Sequence, residues 1–260
     1  MLRTVTALSM LAASVLGSST LTEANLRARL GTMLDNLLAS PAVTSAAAEH
    51  QASGSSVSAH DIARESLLCA RFVKLDEPKI RVGPSSVCSG VGVFASTNID
   101  EGELITCYPG DAVTYRLPPE SPISEKQRED EGIRGVMWGR HVPQNLRKLT
   151  VANDEYAIKI DETYGGVGLR ELDGDLAYVG HLINDGACLS NFGSASEYLK
   201  ASKAAGNAGF RCLLGCHMIT IATRSIPKGA EVLVSYGPDY WGNQRQRRVE
   251  SISRVFSSFL

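Results

Sequence analysis

From about residue 70 to residue 241 the chain consists of short Val/Ile-rich runs, each cut off by Gly, Pro, Asn or Asp. Runs that short cannot sustain a helical stripe over several turns, whereas they match the length and alternation of strands. The pattern therefore predicts a mainly β, α+β fold in which helices are few and brief. The chain has 260 residues, 43% of them hydrophobic and 21% charged, as expected for a soluble globular protein. A core of about 150 residues needs no disulfide or metal to hold it together. A formal net charge of −2 provides no whole-chain field towards nucleic acid or anionic lipid. We therefore expect neither direct nucleic-acid binding nor membrane association.

The flanks are different in kind. Residues 1–22 hold one arginine, no acid in the first twenty and a short apolar stretch. This fits a secretory signal, an organellar transit peptide or a disordered start, and it is too interrupted for a membrane span. Nuclear or cytoplasmic location is the expectation, with an organellar or secretory leader left open. In residues 23–69, Leu26, Leu30, Met33, Leu34, Leu37 and Leu38 recur at helical spacing before Pro41, and residues 41–60 read as a small, polar linker. The strand-rich region would be 70–241, with an inserted surface segment at about 116–155. A short helix is expected over residues 197–206, with Ser194 or Ser196 as cap and Gly206 as stop. Residues 242–260 predict a terminal helix with Val249, Ile252, Val255, Phe256 and Phe259 on one face and a solvated arginine face opposite.

One internal echo stands out. ASTNIDEGELI (95–105) and ATRSIPKGAEV (222–232) carry matching residues at identical offsets and read as two similar hairpins. Of the six cysteines, Cys212 and Cys216 with His217 form the nearest group. They read as buried thiols in a strand, since a tetrahedral zinc asks for four ligands; no metal is expected.

SGVGVFAS (89–96) has the G-x-G-x-x-A spacing of a dinucleotide-binding turn. That reading fails because the following residues alternate and turn, with no helix to meet a pyrophosphate. Glycine still lets backbone approach a ligand. Downstream lie YVGHLINDGA (178–187), an apolar run entering an Asn-Asp-Gly turn, and EVLVSYGPDYW (231–241), an apolar strand ending in Tyr-Gly. The ordered set SGVGVFA, GHLINDG and EVLVSYG resembles the SET domain family of S-adenosylmethionine-dependent protein lysine methyltransferases over roughly residues 70–241.

That resemblance implies small curved β-sheets with a pseudoknot-like threading of the C-terminal segment. It implies that Gly90, Val91 and Gly92 meet the methionine part of the cofactor through backbone, that Asn184 binds its amino group or carbonyl region, and that the Asp185 backbone reaches the adenine. Tyr236 would sit where S-adenosylmethionine meets the lysine. Tyr156 is a second candidate channel tyrosine, and Trp241 a cover for the site. The partner would be a lysine-bearing segment of a protein, histone tail or otherwise; oligomeric state is not legible. His181 and Tyr108 read mainly as packed residues. Two departures matter. The family's Asn-His becomes Asn184-Asp185, and residues 242–260 contain no cysteine for the zinc segment often found after the domain. The first keeps a second function in play, a catalytically silent protein-binding module of the same fold.

Overall fold

Helices begin where the sequence supplies caps. The computed structural model describes residues 22–54, 57–115, 135–147, 156–161, 163–188, 191–238, 240 and 241. The expected leader and terminal helix lie outside these residues, as does most of the 116–155 insertion. In chain order the elements are α1 (Glu23–Leu38), α2 (Pro41–Ala52), α3 (Ala59–Leu68), β1 (Ile80–Pro84), β2 (Val91–Ala95), β3 (Leu104–Cys107), β4 (Ala112–Tyr115), β5 (Gly135–Trp138), β6 (Ala157–Lys159), β7 (Tyr164–Val167), β8 (Asn184–Asp185), α4 (Ala195–Ala205), β9 (Ala208–Leu213), β10 (His217–Ala222) and β11 (Leu233–Val234). This is a mixed α+β fold of small sheets, largely antiparallel, as the punctuated sequence predicts. Among the described residues no helix is long and apolar enough to cross a membrane.

Contacts divide the chain into two units. One comprises the segments up to Pro78, Gly102–His181 and Phe210–Ile221; the other comprises Lys79–Glu101, Leu182–Gly209 and the chain from Ala222 onward.

In the first unit, α1 buries Leu26, Leu30 and Leu37. The expected linker is a correction: most of residues 41–60 is helical. Pro41 does not stop a helix but opens α2 behind the Ser40 cap, because proline at the first helical position loses no hydrogen bond and has its φ already set. Alanines then carry the helix. The third helix starts in a capping box, in which Ser58 and Asp61 bond each other's backbone N–H. These helices pack their apolar sides with Phe72, Val73, Tyr178, Leu213 and Ile219 into one core. A three-stranded sheet runs β3-β10-β9 and a four-stranded one β5-β4-β7-β6.

In the second unit, β1 and β2 form an antiparallel hairpin with Gly83 opposite Gly92. Its loop is closed by Ser85 N–H donating to Gly90 O at 3.0 Å. β8 and β11 pair in parallel, Leu233 with Asn184 and Val234 with Asp185. The two echoing segments are not separate hairpins, which corrects the expectation. They pair with each other: Ile99 and Ile226 exchange backbone hydrogen bonds at 2.9 and 2.8 Å. Both segments turn at a left-handed glycine at the same offset, Gly102 (φ +84°) and Gly229 (φ +89°). The repeated sequence encodes a repeated turn, and the apolar residue before it finds its partner in the other copy.

Candidate functional site

Asn184 begins β8, and its parallel partner β11 leads directly into Tyr236. Three motifs distant in sequence therefore lie in one unit. The Asn184 amide Nδ2 donates to Val91 O at 2.9 Å, to Ser85 Oγ at 3.1 Å and to Glu231 Oε1 at 3.1 Å. One side chain thus joins the glycine loop, its own turn and the head of the closing segment. The loop's glycines open a strand, not a helix, the local structure that a dinucleotide site lacks.

Gly92 and Gly90 have different reasons to be glycine. A Cβ on Gly92 would stand 2.1 Å from Glu231 Oε1, so the Glu231 carboxylate occupies that space. A Cβ on Gly90 would meet only Cys88 Sγ, at 3.6 Å. Close approach at Gly92 therefore serves an internal carboxylate, while the surface beside Gly90 is open to a ligand.

Glu231 organises the loop. It accepts from Ser85 Oγ and from Ser86 N–H, both at 2.7 Å, as well as from the Ser86 hydroxyl. Burial works to raise its pKa, but the Ser86, Ser85 and Asn184 hydrogen bonds outweigh that and hold it below the usual glutamate value.

The Asp185 side chain turns inward. Its carboxylate is buried, 6% of the residue remaining exposed, and it collects five donors. Oδ1 accepts from Ala187 N–H at 3.0 Å and Ser202 Oγ at 2.7 Å. Oδ2 accepts from Tyr236 N–H at 3.0 Å, Trp241 Nε1 at 3.1 Å and the Tyr198 hydroxyl. Tyr198 in turn accepts from Gly237 N–H at 3.0 Å. Burial and the Asp185 carboxylate both push the Tyr198 phenol up, so it stays a donor. The expected helix carries these groups: α4 is capped by Ser194 and stopped at Gly206.

Tyr236 donates its hydroxyl to Ile183 O at 2.6 Å. Its ring lies 4.6 Å from Tyr240 and 6.2 Å from Trp241, the latter pair near-parallel at 28°. Gly90, Val91, Gly92, Asn184, Asp185, Tyr236 and Trp241 thus all fall in the second unit, most of them in one hydrogen-bonded assembly.

Tyr156 belongs to the other unit. There its carbonyl accepts from the Tyr108 hydroxyl, and its ring meets His181 edge-on at 5.4 Å. His181 is buried and bonds Asp173 through Nε2 at 2.9 Å. Cys216 lies at the turn into β10 with its thiol pushed up to about 11 by burial. Among the described residues no group of three or more His, Cys, Asp or Glu side chains is arranged to hold a metal.

Sequence reasoning missed Glu231, Tyr198 and Ser202. A signal for the last two was present, since Tyr198 and Ser202 stand four apart on one helical face.

The fold and these convergent motifs define a chain of the SET type. The SET domain family model matches residues 90–237, more than half of the chain. The chain belongs to the SET domain family. A solved Plasmodium falciparum structure, of a protein named as a candidate histone methyltransferase, is 20% identical; the match covers 64% of this chain and 98% of that one, with a TM-score of 0.30. No curated protein matches.

Proposed function

We propose that this chain is a protein-lysine N-methyltransferase that uses S-adenosylmethionine. The observation that carries the reading is the Asn184 amide, which draws the Gly90–Gly92 loop and the Glu231-to-Tyr236 segment into one unit. The residues suit that cofactor: the backbone at Gly90 has open space beside it, and Tyr236, Tyr240 and Trp241 are half-buried rings in mutual contact. π-Faces attract a cation such as a sulfonium. When bound, the cofactor supplies an electrophilic methyl group on a positively charged sulfur. Gly90 and Val91 would hold it through backbone, with Asn184 behind them and Trp241 as cover.

The residues have three tasks. They must align the lysine amine, keep it neutral and exclude water. The Tyr236 hydroxyl is held on the Ile183 carbonyl, which sets the ring's direction and prepares it to line a lysine channel. An apolar channel beside a cation favours the neutral amine, so no strong general base is required. The substrate is a lysine-bearing protein segment, histone or otherwise.

The test is transfer of labelled methyl from S-adenosylmethionine to histones and to extract proteins, alongside melting with S-adenosylhomocysteine. At one hundred times its dissociation constant, the ligand should add about 2.7 kcal/mol. Label should depend on lysine and vanish in Asn184→Ala. Cofactor binding without transfer to any protein would favour the silent binding module; no binding would overturn both the cofactor and the activity.

A further inference from the structure

The family's histidine position is occupied here by an aspartate, and the geometry assigns it a task. We propose that Asp185 is the positioning residue of the site: its carboxylate sets Tyr236 and Trp241 from behind, using α4 as the support. The inference rests on the methyltransferase reading for its consequence, but not for its geometry.

Four observations carry it. First, the Asp185 side chain is buried, and among the described residues no ion pair compensates it. A buried carboxylate without a counter-charge persists only when several dipoles solvate it; here five N–H and O–H groups do so. Second, two of the five belong to the closing segment, the Tyr236 amide and the Trp241 indole, and both bond the same oxygen. One atom therefore sets the backbone at Tyr236 and the plane of Trp241 together. Third, Tyr198 and Ser202 reach that carboxylate from α4, and Tyr198 also receives the amide of Gly237. The closing Tyr-Gly is thus held at both residues. Fourth, α4 is itself tied down next to this segment. Asn207, just past its stop, exchanges backbone and side-chain bonds with Leu233 at 2.9 Å, and its amide donates to Glu231 O at 2.8 Å.

Donor counting makes the assignment specific to an acid. An ionised carboxylate offers two oxygens with about four lone-pair directions, whereas a neutral imidazole offers one acceptor nitrogen. Histidine at position 185 cannot receive Tyr198, Ser202, Tyr236 and Trp241 together. Asparagine halves the accepting atoms and turns an NH2 towards existing donors. The family's usual residue is therefore incompatible with this chain's surroundings, and the departure is matched by Tyr198 and Ser202.

The experiment uses the full chain in a Trp138→Phe background, leaving Trp241 as the sole tryptophan. Trp241 emission is recorded without ligand, together with KM for S-adenosylmethionine and kcat, for Asp185→Asn, Asp185→His, Tyr198→Phe and Ser202→Ala. Both Asp185 variants should shift Trp241 emission to the red and raise KM tenfold or more, with a smaller fall in kcat. Tyr198→Phe and Ser202→Ala, each removing one donor, should shift emission in the same direction by less. If the Asp185 variants do not fold, the two single-donor variants decide. Unchanged emission and KM in variants that fold overturn the proposal. A wild-type protein that binds no cofactor removes the methyltransferase reading, while Trp241 emission still decides whether Asp185 positions the indole.

Discussion

Asp111 in the first unit and Asp185 in the second are both buried almost completely, and the two carboxylates are stabilised in opposite ways. Asp111, at the start of β4 in the first unit, is met by charge. Arg71 Nη2 lies 2.7 Å from Oδ1, His141 Nε2 lies 2.6 Å from the same atom, and Leu169 N–H donates to Oδ2 at 2.9 Å. The Arg71 guanidinium also lies over the Tyr178 ring, 4.8 Å from its centroid. Among the described residues, Asp185 has only neutral donors. Asp111 is held by a few short contacts led by the Arg71 guanidinium, and its partners Arg71, His141 and Leu169 come from three segments. Asp185 instead gathers five neutral donors from its own turn, α4 and the closing segment. Asp111 therefore rests on charge, whereas Asp185 rests on the number of groups it collects.

The largest expected effect lies at the charged site. Asp111→Ala removes the carboxylate that Arg71 and His141 share, leaving Arg71 only the longer contact to Asp175 at 3.3 Å, and should cost about 3–5 kcal/mol in urea unfolding. A loss below about 1 kcal/mol would erase the contrast. Acid should report the same site. Burial alone would raise the Asp111 pKa, but the His141 hydrogen bond, the Arg71 charge and the Leu169 amide outweigh it and hold the carboxyl below its ordinary 3.8. A carboxyl lowered on folding contributes stability above its unfolded pKa and loses it as pH falls through the folded one. Stability should therefore fall as the pH drops below about 3.8. In Asp111→Asn that fall should be shallower. At the neutral-donor site, Ser202→Ala removes one hydrogen bond to a charged group and should cost about 1.5–3 kcal/mol.

The same contrast explains what could be read in advance. The fold class was legible because strand-length runs and turn residues are local facts. So was α4, with a cap and a stop in its own sequence, and so was α1, through the helical spacing of its leucines. The second helix was not, since Pro41 ends one pattern and starts another, and only the Ser40 cap separates the two readings. The echo at 95–105 and 222–232 was visible, but its partners were not: the turn is encoded locally, the Ile99–Ile226 pairing is not. At the site, Gly92, Asn184 and Tyr236 could be named from order along the chain. The tasks of Asp185 and Glu231 could not, because each depends on which donors surround it, and those arrive from as far as 146 positions away in Ser85. The position of Tyr156, beside His181 and Tyr108, is equally a fact of packing.

The smallest effects test whether dipole-solvated carboxylates tolerate crowding. Gly92→Ala drives a methyl group against Glu231 Oε1, an atom already holding Ser85 and Asn184. The carboxylate cannot swing aside without giving up those bonds, so overpacking should cost about 1–3 kcal/mol. Two residues earlier, Gly90→Ala meets only Cys88 Sγ at ordinary contact distance, and φ there is not in the left-handed region. Its stability should change by no more than about 0.5 kcal/mol. The pair separates two meanings of glycine within one loop. If Gly90→Ala melts like wild type yet weakens binding of S-adenosylhomocysteine, the open face at Gly90 belongs to the ligand. If it weakens neither, the loop's second glycine alone carries the motif, and its reason is Glu231.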